Sequence, residues 1–216
     1  MNRSDPRVIK TKKQIDSALL ENLSRHSFQK ITVDMICASG MINRSTFYKY
    51  YRDKYDLLDS YLARVLHEFK ERTVVDFILA SPAKVGDPAY KDSFERLARY
   101  LYQHKDTYLI LWSARMERRI YDEMSLLIKD QILDLLRKSY PDLGDSAIYA
   151  ELYAHMFSSN AMGLIRWWFT NDRLVTLRDV TRIMTKNMEE GLFKTFRECL
   201  VRVDEGNGTS VCQTRG

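Results

Sequence analysis

Apolar residues recur along this chain mostly at spacings of three and four, the period of a helix with one buried face. Ile15, Ala18, Leu19 and Leu23 predict a first helix that ends near His26, with residues 1–7 as a flexible arm before it. Val33, Ile36 and Cys37 predict a short second helix, and Phe47 is the buried anchor of a third that runs from Arg44 to about Tyr50. Leu58, Tyr61, Leu62, Val65, Leu66 and Phe69 form a long stripe, which predicts a helix from Asp53 to about Leu79. The segment SPAKVGDP at 81–88 is the clearest break. Beyond it the pattern predicts helices near 89–103, 105–113, 115–139, 145–171 and 176–203, and no stretch alternates as a strand does. The fold class is therefore all-α, with about nine helices.

Residues 31–58 carry local signals with a mechanism. Thr32 is placed to cap the second helix, with Ile31 and Ile36 as a hydrophobic staple. Gly40 is expected to end that helix in the left-handed conformation and to turn Met41 and Ile42 into the core. Asn43 is a good N-cap for the third helix, and Asp53 with Asp56 three positions on has the form of a capping box for the fourth. With Phe47 buried, Arg44, Ser45, Thr46, Tyr48 and Lys49 stand on the outer arc of the third helix. Two helices joined by a tight turn, the second presenting hydroxyls and cations, have the geometry that places side chains in a DNA groove. Arg44 suits guanine edges or phosphate, Asn43, Ser45 and Thr46 suit bases or backbone, and Lys49 suits phosphate. Tyr50 and Tyr51 read as aromatic core, and Tyr48 as outward-facing.

Gly40, the run Asn43-Arg44-Ser45-Thr46-Phe47-Tyr48 and the opening Asp53-Lys54-Tyr55-Asp56-Leu57-Leu58 resemble the TetR family of bacterial transcriptional regulators. The resemblance is close over about the first quarter of the chain and implies a three-helix helix-turn-helix DNA-binding domain over residues 1–53. It implies an effector-binding and dimerisation domain over 54–203, and backbone phosphate contacts from Thr32, Tyr48 and Lys54. The last two long helices would form a homodimer interface; Tyr153, Met156, Asn160, Gly163 and Trp167 are its candidates on one, and Met184, Met188 and Gly191 on the other. A cavity among the middle helices would take a small-molecule effector. Its candidate lining is Phe77, Tyr100, His104, Tyr108, Trp112, Met116 and Met124, because aromatic and thioether side chains adapt to apolar ligands. Residues 204–216, rich in small polar residues, are expected to be disordered.

Composition agrees with this division. Residues 1–72 hold 14 basic and 9 acidic residues, whereas 73–216 hold 20 of each, so all the net charge of +5 lies with the helix-turn-helix. A basic module of this kind is an electrostatic footprint for phosphate. The cysteines, Cys37, Cys199 and Cys212, are scattered, which predicts reduced thiols and a cytoplasmic protein. No apolar stretch has the length of a membrane span. The four histidines are dispersed, no nucleotide-binding or hydrolase motif occurs, and His67-Glu68 lacks a second histidine at the zinc-binding spacing, so no catalytic residue, metal or cofactor is expected. Glu68 and Glu71 are expected to pair with Arg64, Lys70 or Arg72 on a solvated face. The leading expectation is a ligand-responsive repressor that binds a palindromic double-stranded operator as a homodimer. The alternative is a coregulator acting through a protein partner, which the retained Arg44, Tyr48, Lys49 and Lys54 argue against.

Overall fold

The structure, a computed structural model, describes residues 5–75 and 88–191, without the side chains of 88–91, 93, 145, 185 and 188–190. Phe77, the tail at 204–216 and the last helix beyond Gly191 lie outside the described residues, and of the expected break at 81–88 only Pro88 lies within them. Among the described residues there are nine α-helices and no strand. They are α1 (Pro6–Arg25), α2 (Val33–Ser39), α3 (Arg44–Tyr48), α4 (Lys54–Arg72), α5 (Pro88–Gln103), α6 (Lys105–Ser113), α7 (Ile120–Ser139), α8 (Ala147–Asn171) and α9 (Leu177–Glu190). They group into two compact units. One comprises the described residues up to Phe69 together with His104–Glu123, and the other comprises the rest. Most of α4, and α6, thus pack with the N-terminal helices across the expected boundary at 53/54.

In the first unit, α1 begins earlier than its apolar stripe suggests. Asp5 caps it by accepting from the Arg7 N–H at 2.9 Å, and Pro6 at the first position has no N–H to leave unpaired, so residues 5–7 are not an arm. Ile15, Ala18, Leu19 and Leu23 are buried as expected. Asn22, buried among them, donates to the Ala18 carbonyl at 2.8 Å and to Ser39 Oγ at 3.0 Å, which ties α1 to the end of α2. Arg64 of α4 pairs with Asp16 of α1 at 2.7 Å. Burial pushes the Asp16 carboxyl above its usual range against the pull of Arg64, and burial likewise raises the Tyr51 hydroxyl.

The turn after α2 differs from expectation. Gly40 has ordinary right-handed angles, φ −79 and ψ −3, and Met41 is the left-handed residue, at φ 49. Gly40 is required for space instead: a Cβ there would lie 3.2 Å from the Ile36 carbonyl oxygen and 3.3 Å from Ala18 Cβ. Met41 is 88% exposed and does not enter the core; Ile42 is half-buried, with its N–H bonded to the Cys37 carbonyl at 3.0 Å.

Two other helix ends move inward. α4 stops at Arg72 and not near Leu79, because the β-branched Thr73, Val74 and Val75 follow; the Thr73 N–H closes a tighter bond to the Lys70 carbonyl at 3.2 Å. α7 starts at Ile120 and not at 115. The Arg115 carbonyl instead accepts the Phe28 N–H at 3.0 Å, and Arg118 reaches both Asp59 and Glu123.

In the second unit α8 buries Ala150, Ala154, Phe157, Ala161, Met162, Ile165, Trp168 and Phe169 on one face. Trp168 stacks on Tyr102 at 4.8 Å and donates its indole N–H to the Val175 carbonyl at 2.9 Å. α9 opens with a capping box between Thr176 and Asp179, whose hydrogen bonds to Thr176 hold the Asp179 carboxyl below its usual range.

The turn yields a paired prediction. Met41→Gly removes the left-handed strain at the cost of some chain entropy and should raise stability by about 0.5–1 kcal/mol. Gly40→Ala crowds α1 and should lower it by about 1–3 kcal/mol. Urea unfolding of both variants against the parent checks the signs; a stabilised Gly40→Ala would contradict the packing.

Candidate nucleic-acid interface

The surface predicted to meet DNA is built on α2 and α3 of the first unit. Thr32 caps α2 as expected, its hydroxyl oxygen accepting from the Met35 N–H at 3.2 Å while the residue stays exposed. Ile31 and Ile36 are both buried, consistent with the staple. α3 is a single turn and a half, Arg44–Tyr48, shorter than the expected run to Tyr50. So short a helix has little intrinsic stability. It is held by Phe47, which is fully buried and packs edge-on to Tyr48 at 5.4 Å and tilted to the buried Tyr51 at 5.9 Å. Asn43 stands at the N-cap without a side-chain capping bond.

With Phe47 inward, Asn43, Arg44, Ser45, Tyr48 and Lys49 are exposed and Thr46 is half-buried. Tyr50 is half-buried, with the Lys12 ammonium 5.9 Å from its ring centroid. Arg44 is already engaged: its guanidinium lies 3.0 Å from the Asp34 carboxylate and donates to the Tyr48 hydroxyl oxygen at 3.4 Å. The bond to Tyr48, and then the charge of Asp34, raise the Arg44 pKa, so it is fully cationic. Behind the motif, burial first and Asp34 second push the Cys37 thiol up, which leaves it protonated and unreactive at neutral pH. The sequence carried no signal for Asp34, because its contact with Arg44 depends on how the turn folds α2 onto α3.

Lys54 does something other than clamp a phosphate. Its ammonium donates to the carbonyls of Phe28, Gln29 and Ile31 at 3.0, 3.0 and 2.7 Å, which uses all three of its protons. It also lies over the Phe28 and Tyr55 rings, at 4.9 and 5.3 Å. These carbonyls surround the 3-10 turn Phe28–Lys30, immediately before Thr32, so Lys54 sets where α2 begins. Asp53 accepts from the Tyr55 and Asp56 N–H groups, both at 2.8 Å, and Asp56 reaches back to the Arg52 N–H at 2.8 Å.

A groove of about 550 Å³ opens on the same unit, lined by Ile9, Lys10 and Lys13 of α1 and by Ser39, Gly40 and Met41 of the turn. None of the expected effector residues lines it. Of those, Tyr108 is buried and Trp112 and Met116 are half-buried in the first unit. Tyr108 and Trp112 are 5.6 Å apart, and Trp112 meets Tyr121 edge-on at 5.5 Å. His104 is exposed at the N-cap of α6. Tyr100, beneath the Arg72 guanidinium at 4.1 Å, and the fully buried Met124 belong to the second unit.

The expected dimer stripe on α8 is the face turned away from that unit's core. Met156, Asn160 and Trp167 are exposed, Tyr153 and Gly163 are half-buried, and Ile148 and Leu152 extend the apolar stripe. Nothing lies within 4 Å of where a Cβ on Gly163 would stand. Met184 is different: it is 1% exposed, on the buried face of α9 with Val180, so it serves the core of its own chain. Gly191 is the exposed C-cap of α9, and the Met188 side chain is outside the described residues. Among the described residues no group of histidine, cysteine and acidic side chains could hold a metal ion, and no helix is long and apolar enough to cross a membrane.

Residues 89–190 match the TetR family model for the transcriptional regulator C-terminal region. Among solved structures, the chain is similar to a candidate transcriptional regulator from Pseudomonas aeruginosa PAO1, at 23% identity and a TM-score of 0.64 over 91% of this chain and 99% of the other. It is similar to SmeT in its complex with triclosan, at 18% identity and TM-score 0.58 over 85% and 94% of the two chains. The fatty acid degradation regulator FadR from Bacillus halodurans matches at 15% identity and TM-score 0.55, over 84% and 96%. These likenesses show the fold. No curated protein matches the chain in sequence. Residues 89–190 are thus similar to the C-terminal region of TetR-type transcriptional regulators, and the chain has the fold of such regulators, an N-terminal helix-turn-helix followed by a helical region.

The Lys54 arrangement is testable. Lys54→Met keeps the stem but removes the ammonium from three carbonyls, of which Phe28 keeps only the Ile31 N–H, and should destabilise the protein by about 2–3 kcal/mol. Hydrogen exchange should speed up first at residues 28–36. Unchanged protection there would mean that Lys54 does not set the start of α2.

Proposed function

We propose that this protein is a ligand-responsive repressor that acts in the cytoplasm as a homodimer on a palindromic operator. The observation that carries the DNA-binding part is the division of α3: Phe47 is sealed inside while Arg44, Ser45, Tyr48 and Lys49 face solvent on one arc. An arc of that chemistry fits the major groove, with Arg44 on a base edge, Ser45 and Thr46 on bases or backbone, and Lys49, Tyr48 and the capping Thr32 on phosphate. A repressor of this kind reads two half-sites at once, so its specificity depends on the spacing of two recognition helices.

The homodimer reading rests on the outward stripe of α8. Leu152, Met156 and Trp167 are 50%, 41% and 50% exposed at helical spacing, and Ile183 of α9 is 39% exposed. An apolar stripe of this kind is favoured as an interface over open solvent. The effector reading draws on SmeT, which was solved with triclosan, and on a regulator of fatty acid degradation. An apolar small molecule would act by binding two dimer conformations unequally and so changing operator affinity. Aromatic and thioether side chains such as Tyr108, Trp112 and Met116 are of the type that would hold it.

Selection of random duplexes by the full-length protein, followed by titration of the enriched sequence, tests the DNA reading. Arg44→Ala should weaken that complex by about 5- to 150-fold, the range for one lost base contact. Lys49→Ala should weaken operator and random duplexes alike. Absence of sequence-selective binding by the parent would favour the coregulator instead.

The interface has its own measurement. Met156→Glu with Trp167→Glu should shift the protein from dimer to monomer in sedimentation at micromolar concentration while leaving its helical circular dichroism intact. A parent that sediments as a monomer would refute the dimer.

A further inference from the structure

We propose that Asp34 is a specificity-determining positioning residue: it withholds Arg44 from indiscriminate phosphate contact and aims it for a base edge. The proposal rests on the DNA-binding reading above. Asp34 lies in the first turn of α2 and Arg44 opens α3. Arg44 Nη1 is 3.0 Å from Asp34 Oδ1 and 3.3 Å from Oδ2, while Nη2 donates to the Tyr48 hydroxyl oxygen at 3.4 Å. The guanidinium is thus held at two of its nitrogens, on a different element at each, and its carbon lies 5.9 Å from the Tyr48 ring centroid.

Stability does not account for this arrangement. The Arg44 and Asp34 side chains are 60% and 67% exposed, and an ion pair so open to water contributes little to folding. An acid in the first turn of α2 favours that helix through its dipole, but this requires no alignment with Arg44. Binding accounts for it better. A carboxylate on the DNA-facing arc is repelled by phosphate and cancels one of the few cations there. On a random duplex Arg44 remains paired with Asp34, and the cation displaces no counterion from the DNA. On the operator a guanine edge meets a guanidinium already oriented by Asp34 and Tyr48, so less side-chain freedom is lost in making the contact. Asp34 weakens both complexes and weakens the random one more.

The test compares Asp34→Asn with the parent on two duplexes of equal length, the one enriched from the random library and a scrambled version of it, between 50 and 200 mM salt. The variant should bind the scrambled duplex about 1.5- to 5-fold tighter. Its salt slope there should steepen by about 0.9, one extra phosphate contact, and the ratio of enriched to scrambled affinity should fall. Asp34→Glu should retain most of the parental ratio. In an Arg44→Gln background, Asp34→Asn should change neither slope nor ratio. Thermal melts of each variant accompany the titrations, and Asp34→Ser replaces the Asn variant in the same assay should that one fail to fold. Parental slope and ratio in Asp34→Asn would overturn the proposal, as would an equal effect in the Arg44→Gln background, which would assign it to the field of Asp34 alone. A parent with no preference between the two duplexes would overturn the DNA-binding reading itself.

Discussion

One ammonium group determines where the helix-turn-helix begins. Lys54, at the start of α4, donates to the carbonyls of Phe28, Gln29 and Ile31, of which Phe28 also accepts the Ile31 N–H that closes the turn. Carbonyls at the end of a short 3-10 turn point the same way and carry partial negative charge, so a cation placed on them is stabilised while the turn is closed. Thr32 follows at once as the cap of α2. The entry to the helix-turn-helix is therefore bonded to the helix that leaves it.

Within that frame, every other part of the motif is a matter of close contact. α3 is too short to persist alone, and the burial of Phe47 against Tyr51 holds it. Gly40 lets α1 approach α2 where even a methyl group would crowd Ala18. Met41 takes the left-handed angle of the turn next to it, although it is not glycine. The partly desolvated pair of Asp16 and Arg64 then ties α1 to α4. A surface of exposed hydroxyls and cations is in this way fixed to a frame that is buried on its other side.

The second unit separates its two faces along single helices. α8 seals Trp168 against Tyr102 and leaves the adjacent Trp167 half exposed. One tryptophan therefore serves the core and its neighbour is available to a partner. α9 does the same with Met184 inside and Ile183 partly outside.

Helical periodicity, caps and the TetR-like run at 40–58 were legible in the sequence because they depend on neighbours within one turn of chain. On that basis the all-α class, the Thr32 cap, buried Phe47 and the outward stripe of α8 were readable before any coordinates. The errors fell where distant segments meet. The sequence marks Gly40 as a turn glycine, but only its contact with Ala18 and Ile36 decides that it is there for space and that Met41 carries the left-handed angle. Lys54 looks like a phosphate ligand until the turn at Phe28–Lys30 places three carbonyls on it. Met184 lies on an apolar stripe, and packing alone turns it toward its own chain. Asp34 meets Arg44 ten residues away across the turn. Sequence by itself determined the elements and their buried faces, since these follow from local spacing. Tertiary structure decided which polar groups are already paired, since pairing depends on distances that spacing along the chain does not contain.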